Sequence, residues 1–278
     1  MMIDLHAHIL PGCDDGSPDL ATSLAMARMA VADGIHVMAC TPHILPGLYE
    51  NDGEGIARRM GNLQAALDEA GVDLRLVTGA DIHIAPDLAG KLVSGAAPTL
   101  GGSRYFLLEP PHHVLPPRFV EFVQKVIGAG FTPILTHPER LTWVQAHYDI
   151  IERVNAVGVL MQITAGSLTG NFGSSAQKLS ERMLAEGRID LVASDAHNLK
   201  GRPPVLSKAF AVVEAALGPA EANRMFIETP QRILDNAVVV PVGSRQRGGV
   251  ETPKQPNGLR RLLGNSMRRF FGDGRHEG

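Results

Sequence analysis

Short apolar runs alternate along this chain with segments whose apolar residues recur every three or four positions. Ile3–His8, Ile35–Cys40, Leu74–Thr78, Tyr105–Leu108, Thr132–Leu135, Leu160–Ile163 and Leu191–Ala193 are short, apolar and bounded by Gly, Pro, Asp or His, a pattern that predicts strands. Helical patterns lie between them. Ser17-Pro18-Asp19 predicts a helix start, with Ser17 as the capping residue and Pro18 in the first turn; Leu20, Leu24, Ala27 and Val31 then share one face until Gly34 ends it. Further helices are predicted over 54–70, 117–129, 141–157 and 175–187. This βα rhythm predicts parallel strands under helices, arranged as a barrel or as an open doubly wound sheet.

The residues at the strand ends favour the barrel. The first strand ends at His6 and His8, the second runs into Thr41-Pro42-His43 and the third into Gly79-Ala80-Asp81. The fourth ends at Glu109, the fifth at His137 and the seventh at Asp195 and His197. In a barrel these ends meet at one mouth, whereas an open sheet would spread them along an edge. A lone histidine at a strand end is more often a hydrogen-bonded structural residue than a ligand. Here the whole set argues otherwise. Period-two alternation puts His6 and His8 on one face, and crowded buried carboxylates require cations or partners. Imidazole and carboxylate donors together suit Mn²⁺, Fe²⁺ or Zn²⁺ better than Mg²⁺ or Ca²⁺. The donors outnumber the needs of one ion, which predicts two or three.

Composition narrows the remaining possibilities. The chain has 278 residues, 44% hydrophobic and 20% charged, enough to bury a core as one barrel or two small domains. Residues 245–278 carry +5, which leaves −8 on the rest of a chain whose total is −3. So acidic a body is a poor candidate for binding nucleic acid. No apolar run approaches the roughly 18 residues of a membrane span. Two cysteines make no disulfide framework, and Asp4 stands where a secretory leader would be basic and then apolar, so the cytoplasm is the expected location. Six residues after Cys13 stands Asp19, and six after Cys40 stands Pro46, so neither has the arginine that a cysteine-dependent phosphatase requires. Residues 241–258 are rich in Pro, Gly and polar side chains and read as a flexible linker. In 259–278, Leu259, Leu262, Leu263, Met267, Phe270 and Phe271 share one side of a predicted helix with Arg261 and Arg268 opposite. That pattern predicts either docking on the acidic body or contact, through 259–271, with an anionic membrane or a partner beside it.

The stretches IDLHAHILPGCDDGS (3–17), TPH (41–43), LLEPP (107–111), THPER (136–140), ITAGSLTGNFG (163–173) and SDAHNLKGRPP (194–204) carry a resemblance. Together they resemble the CpsB/CapC type of metal-dependent tyrosine-protein phosphatase, within the polymerase-and-histidinol-phosphatase superfamily. The resemblance implies a distorted (β/α)7 barrel over 1–240 with a trinuclear, usually manganese, centre. By position it assigns His6, His8, Asp15, His43, Asp81, Glu109, His137, Asp195 and His197 as ligands, Glu109 bridging and Asp14 the weaker of the acidic pair. Asp81 stands where the family typically has glutamate. One methylene shorter, it would need a backbone shift or a water to reach an ion. Arg140 and Arg202 become phosphate contacts rather than surface ion pairs, since guanidinium grips phosphate oxygens in pairs. The implied substrate is the phosphotyrosine tail of a bacterial tyrosine kinase that controls capsule or exopolysaccharide export, with histidinol phosphate the alternative. Hydrolysis would proceed by ion-activated water without a covalent phosphoenzyme. His83, His112 and His113 lie near the predicted mouth as lesser candidates for substrate contact.

Overall fold

The computed structural model describes residues 1–245; residues 246–278, which hold most of the expected linker and all of the expected amphipathic tail, lie outside the described residues. The strands are β1 (Met2–Ala7), β2 (Ile35–Cys40), β3 (His43–Ile44), β4 (Arg75–Thr78), β5 (Asp81–His83), β6 (Tyr105–Glu109), β7 (Thr132–Thr136), β8 (Leu160–Thr164) and β9 (Leu191–Ala193). They form two parallel sheets, in the orders β1-β2-β4 and β3-β5-β6-β7-β8-β9.

Nine strands replace the predicted seven because two are broken. The β2·β4 ladder stops at Cys40 and Thr78, and the same two segments pair again as β3·β5 from His43 and Asp81. Pro42 has no N–H to offer a ladder. Gly79 is so enclosed that a Cβ would lie 2.8 Å from Leu100 and 3.0 Å from Thr41. The Asp81 N–H donates to the Pro42 carbonyl at 3.2 Å across the break. At the opposite seam β1 meets the residues after β9 through an isolated Ala7–Ala196 bridge. There His8 N donates to Ala196 O and Asp195 N to His6 O, each at 2.8 Å. The two sheets thus surround one interior as a distorted barrel, although no continuous ladder closes it.

Alternation along the strands separates two apolar layers. Leu5, Leu107, Ile134, Leu160 and Leu191 fill the interior. Met38, Phe106, Leu135, Met161 and Val192 face outward into the layer that holds the helices' apolar residues. The helices between strands are α1 (Leu20–Ala32), α2 (Gly53–Glu69), α3 (Leu88–Ser94), α4 (Phe119–Gly128), α5 (Tyr148–Ala156), α6 (Ala165–Leu168) and α7 (Gly173–Ala185). After β9 come α8 (Ser207–Leu217), α9 (Pro219–Asn223), a π-helical turn at Arg224–Glu228, and α10 (Thr229–Leu234). Ile233 joins Leu100 and Tyr105 in the interior cluster, and the Tyr105 hydroxyl donates to Ala237 O at 2.7 Å.

Two local expectations are corrected. The cap of α1 is Asp19, whose carboxylate accepts from Thr22 N at 2.8 Å; Ser17 instead closes a loop back on β1, its N–H donating to His8 O at 3.0 Å. The helix predicted over 141–157 begins only at Tyr148. Leu141, Trp143 and Val144 are buried outside any helix, beneath the loop after β6, where Trp143 Nε1 donates to Pro111 O at 2.9 Å. Of the expected linker, only 241–245 lie within the described residues. Val242–Arg245 form a helical turn, and Val242 N donates to Asp190 at 2.9 Å.

Asp4 fastens the seam. It is fully buried, and its Oδ1 accepts from Ser194 N at 3.0 Å and His6 N at 3.3 Å while Oδ2 accepts from the Ser194 hydroxyl. Burial outweighs these hydrogen bonds and pushes its pKa up to about 6. Asp4→Ala strands two buried donors of Ser194, a loss of roughly 2–4 kcal/mol. We expect the thermal midpoint, followed by circular dichroism, to fall by roughly 5–15 °C; a shift under a degree would show that the seam does not depend on Asp4.

Candidate metal centre

The inward face of each strand passes from apolar to polar toward the C-terminal end. In β6, Leu107 is followed by Glu109, and in β8, Leu160 by Gln162 and Thr164, all buried. The β5·β6 register pairs Asp81 with Leu107 and His83 with Glu109. Strand β1 reaches the same end through a bulge. Its pairing with β2 steps from Asp4–Met38 to Ala7–Cys40, one residue more on β1 than on β2. Leu5 therefore joins the interior cluster while its neighbour His6 joins the mouth. His137 and Asp195, at the exits of β7 and β9, have φ of 35° and 53°. Non-glycine residues seldom adopt this left-handed region, and the strain persists only where surroundings enforce it.

All nine predicted donors come together here. His6 Nε2 lies 3.2 Å from His8 Nε2, 3.3 Å from Asp195 Oδ1 and 3.4 Å from Asp81 Oδ2. His43 Nδ1 is 3.2 Å from Glu109 and 3.6 Å from Asp81, while its Nε2 is 3.5 Å from Asp15. His137 Nε2 is 3.6 Å from Glu109, and His197 Nε2 is 3.5 Å from Asp15. The shorter Asp81 is fully buried among His6, His43 and His137. Four overlapping groups of donor atoms have a spacing that could hold an ion: His8, Asp15, His43 and His197; His6, His8 and Asp81; Glu109, His112 and His137; and His43, Asp81 and Glu109. Asp195 belongs to none of them. Its Oδ2 accepts from both Arg140 Nη1 and Arg202 Nη2, and its Oδ1 faces His6 and His8.

The donor chemistry fits divalent cations. Both oxygens of Asp81, Oδ1 of Asp195, Nδ1 of His43 and of His137, and Nε2 of His197 are buried without hydrogen-bond partners, a costly condition that a cation relieves. Burial opposes charge on His6, yet the Asp195 and Asp81 carboxylates overrule it and push its pKa up to about 9. Burial likewise opposes charge on His43, and Glu109 and Asp81 push it to about 9. Burial would raise the Glu109 carboxyl, but His112, His43 and His83 hold it far below the usual range. Around His6, His43 and Glu109 the field therefore draws positive charge, whereas burial and Arg140 hold His137 well below its ordinary value.

Further participants surround the cluster; Asp14 was expected only as the weaker of the acidic pair, and Gln162, Glu139 and Asn198 escaped the sequence reading. Asp14 accepts from His8 Nδ1 at 2.7 Å and His43 N at 2.9 Å, a fifth carboxylate that orients one imidazole and lowers the net charge of the site. Gln162 Oε1 lies 2.9 Å from His6 Nδ1. Its signal was a polar residue on the inward face of a buried strand. Glu139 accepts from Thr164 N at 2.9 Å and Ser167 Oγ at 2.7 Å, tying the turn that carries Arg140 to α6. Asn198 Oδ1 accepts from the backbone of Lys200, Gly201 and Arg202 and shapes the loop that presents Arg202. Of the lesser histidines, His112 Nε2 lies 3.2 Å and His83 Nδ1 3.5 Å from Glu109, whereas His113 is exposed beside Thr142.

A parallel α/β protein with a histidine and carboxylate cluster at its strand ends has the architecture of a distorted barrel, and a lactonase from Listeria monocytogenes shares the fold at a TM-score of 0.50 and 14% identity. Residues 2–235 match the family model described as capsular polysaccharide synthesis, CpsB/CapC. The chain belongs to the CpsB/CapC family. It is 32% identical over 263 residues to the tyrosine-protein phosphatase YwqE of Bacillus subtilis, covering 95% of this chain and 99% of that one. It is 27% identical to the tyrosine-protein phosphatase CpsB of Streptococcus pneumoniae, covering 86% and 100%. A crystal structure from work on YwqE and CpsB, described as unique metal-dependent tyrosine phosphatases, superposes with a TM-score of 0.83 at 32% identity over 86% of this chain and 97% of the other.

Gly16 tests the loop that carries Asp14 and Asp15. A Cβ there would lie 2.2 Å from His8 O and 2.4 Å from His8 Cβ, atoms fixed by the backbone that cannot yield cheaply. We expect Gly16→Ala to remain folded by circular dichroism but to bind Mn²⁺ at least tenfold more weakly by calorimetry, tenfold being about 1.4 kcal/mol. Gly61→Ala, with open space around it on α2, should leave the affinity unchanged. Equal affinities in both variants would separate this loop from cation binding.

Proposed function

We propose that this protein is a metal-dependent tyrosine-protein phosphatase that hydrolyses phosphotyrosine on the tail of a bacterial tyrosine kinase governing capsular or exopolysaccharide export. One observation carries the reading: the buried imidazole and carboxylate cluster shares its mouth with two guanidinium groups, in a chain similar over nearly its whole length to tyrosine-protein phosphatases. The ions, manganese foremost, would be held by His6, His8, Asp15, His43, Asp81, Glu109, His137, Asp195 and His197. Glu109 is the natural bridge, with Oε2 toward His43 and Oε1 toward His137. His112, on the same Glu109 oxygen as His137, is a further candidate. Bound divalent ions supply Lewis acidity, lowering the pKa of water and neutralising phosphoryl oxygens.

The chain's own groups do the rest. Arg140 and Arg202 converge on a single oxygen of Asp195, and guanidiniums so aimed can each take phosphoryl oxygens as charge develops. Arg202 Nε, buried and without a partner, is a ready donor. Asp14 and Gln162 hold the rings of His8 and His6 through Nδ1, leaving Nε2 of each toward the site. The interior layer of Leu5, Leu107, Ile134, Leu160 and Leu191 floors the cavity and keeps water out from below.

Thiolate chemistry has no support. Burial raises the thiol pKa of Cys13 and lifts that of Cys40 far above its ordinary value. Among the described residues no helix is long and apolar enough to cross a membrane. We place the protein in the cytoplasm, where the kinase tail would meet it; Arg260, Arg261, Arg268 and Arg269 would add attraction to an anionic surface.

Phosphate release from a phosphotyrosine peptide, histidinol phosphate and single-stranded DNA tests the assignment. We expect turnover of the peptide alone, supported by Mn²⁺ and abolished by chelation, with Cys13→Ser and Cys40→Ser within a few-fold of the parent. Full activity in protein shown to be metal-free would overturn it.

Arg140→Ala and Arg202→Ala should each lower kcat/KM by ~10²–10³, the ~2–4 kcal/mol of one lost charged donor, without changing metal content. Near-parental values for both would remove them from phosphate recognition.

A further inference from the structure

The AGSLTGNFG stretch contains an aromatic residue to which neither the family resemblance nor the cluster assigns a role. Phe172, half-buried between α6 and α7, lies under both active-site guanidiniums. Arg140 Cζ is 4.3 Å from its ring centroid and Arg202 Cζ 5.8 Å. Both fall within the ~6 Å at which a cation is drawn to an aromatic face. The two arginines come from different loops, one after β7 and one after β9, and Phe172 is the shared surface beneath them. Its seat is prepared. A Cβ on Gly166 would lie 2.8 Å from Phe172 Cε2 and 3.2 Å from Cδ2, so the ring rests where a side chain on α6 would otherwise stand. The Asn171 N–H donates to Gly166 O at 2.8 Å and closes the turn that brings the ring there. On its outer side, Phe172 and Arg140 form one wall of an open cleft of about 460 Å³ with His112, Thr142 and Gln145.

We infer that Phe172 is a positioning residue that holds Arg140 and Arg202 in a convergent pose for the phosphoryl group. The inference rests on the phosphatase reading above. Without the ring, the guanidiniums keep their charge but lose the surface that orders their planes, so phosphate binding weakens more than turnover.

Inorganic phosphate separates this role from two others, because it carries no aromatic ring. In the Mn²⁺-loaded full chain we expect Phe172→Ala and Phe172→Leu to raise both KM for a phosphotyrosine peptide and the inhibition constant of inorganic phosphate about five- to tenfold. The change in kcat should stay within about threefold, and metal content and thermal midpoint near the parent. Phe172→Tyr should restore both constants to within about twofold. Gly166→Ala, which touches neither arginine, should move them in the same direction as Phe172→Ala. Rescue by leucine would make the ring mere packing and overturn the inference. A raised KM with an unchanged phosphate constant would place the ring against the substrate instead and overturn it equally. Failure of the parent protein to release phosphate would instead sink the phosphatase reading, a result distinct from either.

Discussion

Asp195 is the point on which the molecule's charges converge. Its carboxylate is buried, and five cationic or protonatable groups meet it: His6, His8, His197, Arg140 and Arg202. Burial alone would raise its pKa, but these neighbours, His6 foremost, keep it well below the carboxylate range. Its backbone is equally committed. Asp195 N donates to His6 O, the preceding Ser194 is held by Asp4, and the following Ala196 accepts from His8 N. The contacts that join the first strand to the last are thus the contacts that set the carboxylate beside the imidazoles. Closure of the barrel and assembly of the site are one arrangement.

That arrangement is expensive without compensating charge. Asp14, Asp15, Asp81, Glu109 and Asp195 share a small volume with seven imidazoles, and most of these groups are out of water. Removing any one partner would leave the others desolvated and unpaired, which costs more than the pair contributes when intact. The left-handed backbone at His137 and Asp195 adds further strain at the same place. Gln162, Glu139 and Asn198, which hydrogen-bond His6 and the turns that carry Arg140 and Arg202, restrain the cluster from outside.

Much of this was legible in the residues. Seven apolar runs marked the strands, and the chemistry at their ends marked the mouth, because both signals are local. The breaks at Pro42 and Gly79 were not, since strands of two or three residues lie below any periodicity. Leu141, Trp143 and Val144 read as a helix because burial beneath a loop leaves the same apolar spacing as burial on a helix face. Ser17 and Asp19 are both good caps, and only the return of the loop to His8 decides between them. The bulge in β1 is the subtlest case. Simple alternation cannot put both Leu5 and His6 inside, yet one extra residue does so. Phe172 stayed mute because its role depends on where two distant loops travel, which no neighbouring residue encodes.

The seam between β1 and the residues after β9 also has a temporal meaning. His6 and Asp195 stand at nearly opposite ends of the described chain, and every intervening strand must be laid down before they touch. Contacts so far apart in sequence are slow to form, because the entropy of closing the long loop is lost before any contact rewards it. During synthesis the first histidines emerge early, and their partner follows only after the ninth strand. Asp195 and His197 reach the mouth through the strand that pairs with β8, so completing the ladder and completing the donor set coincide.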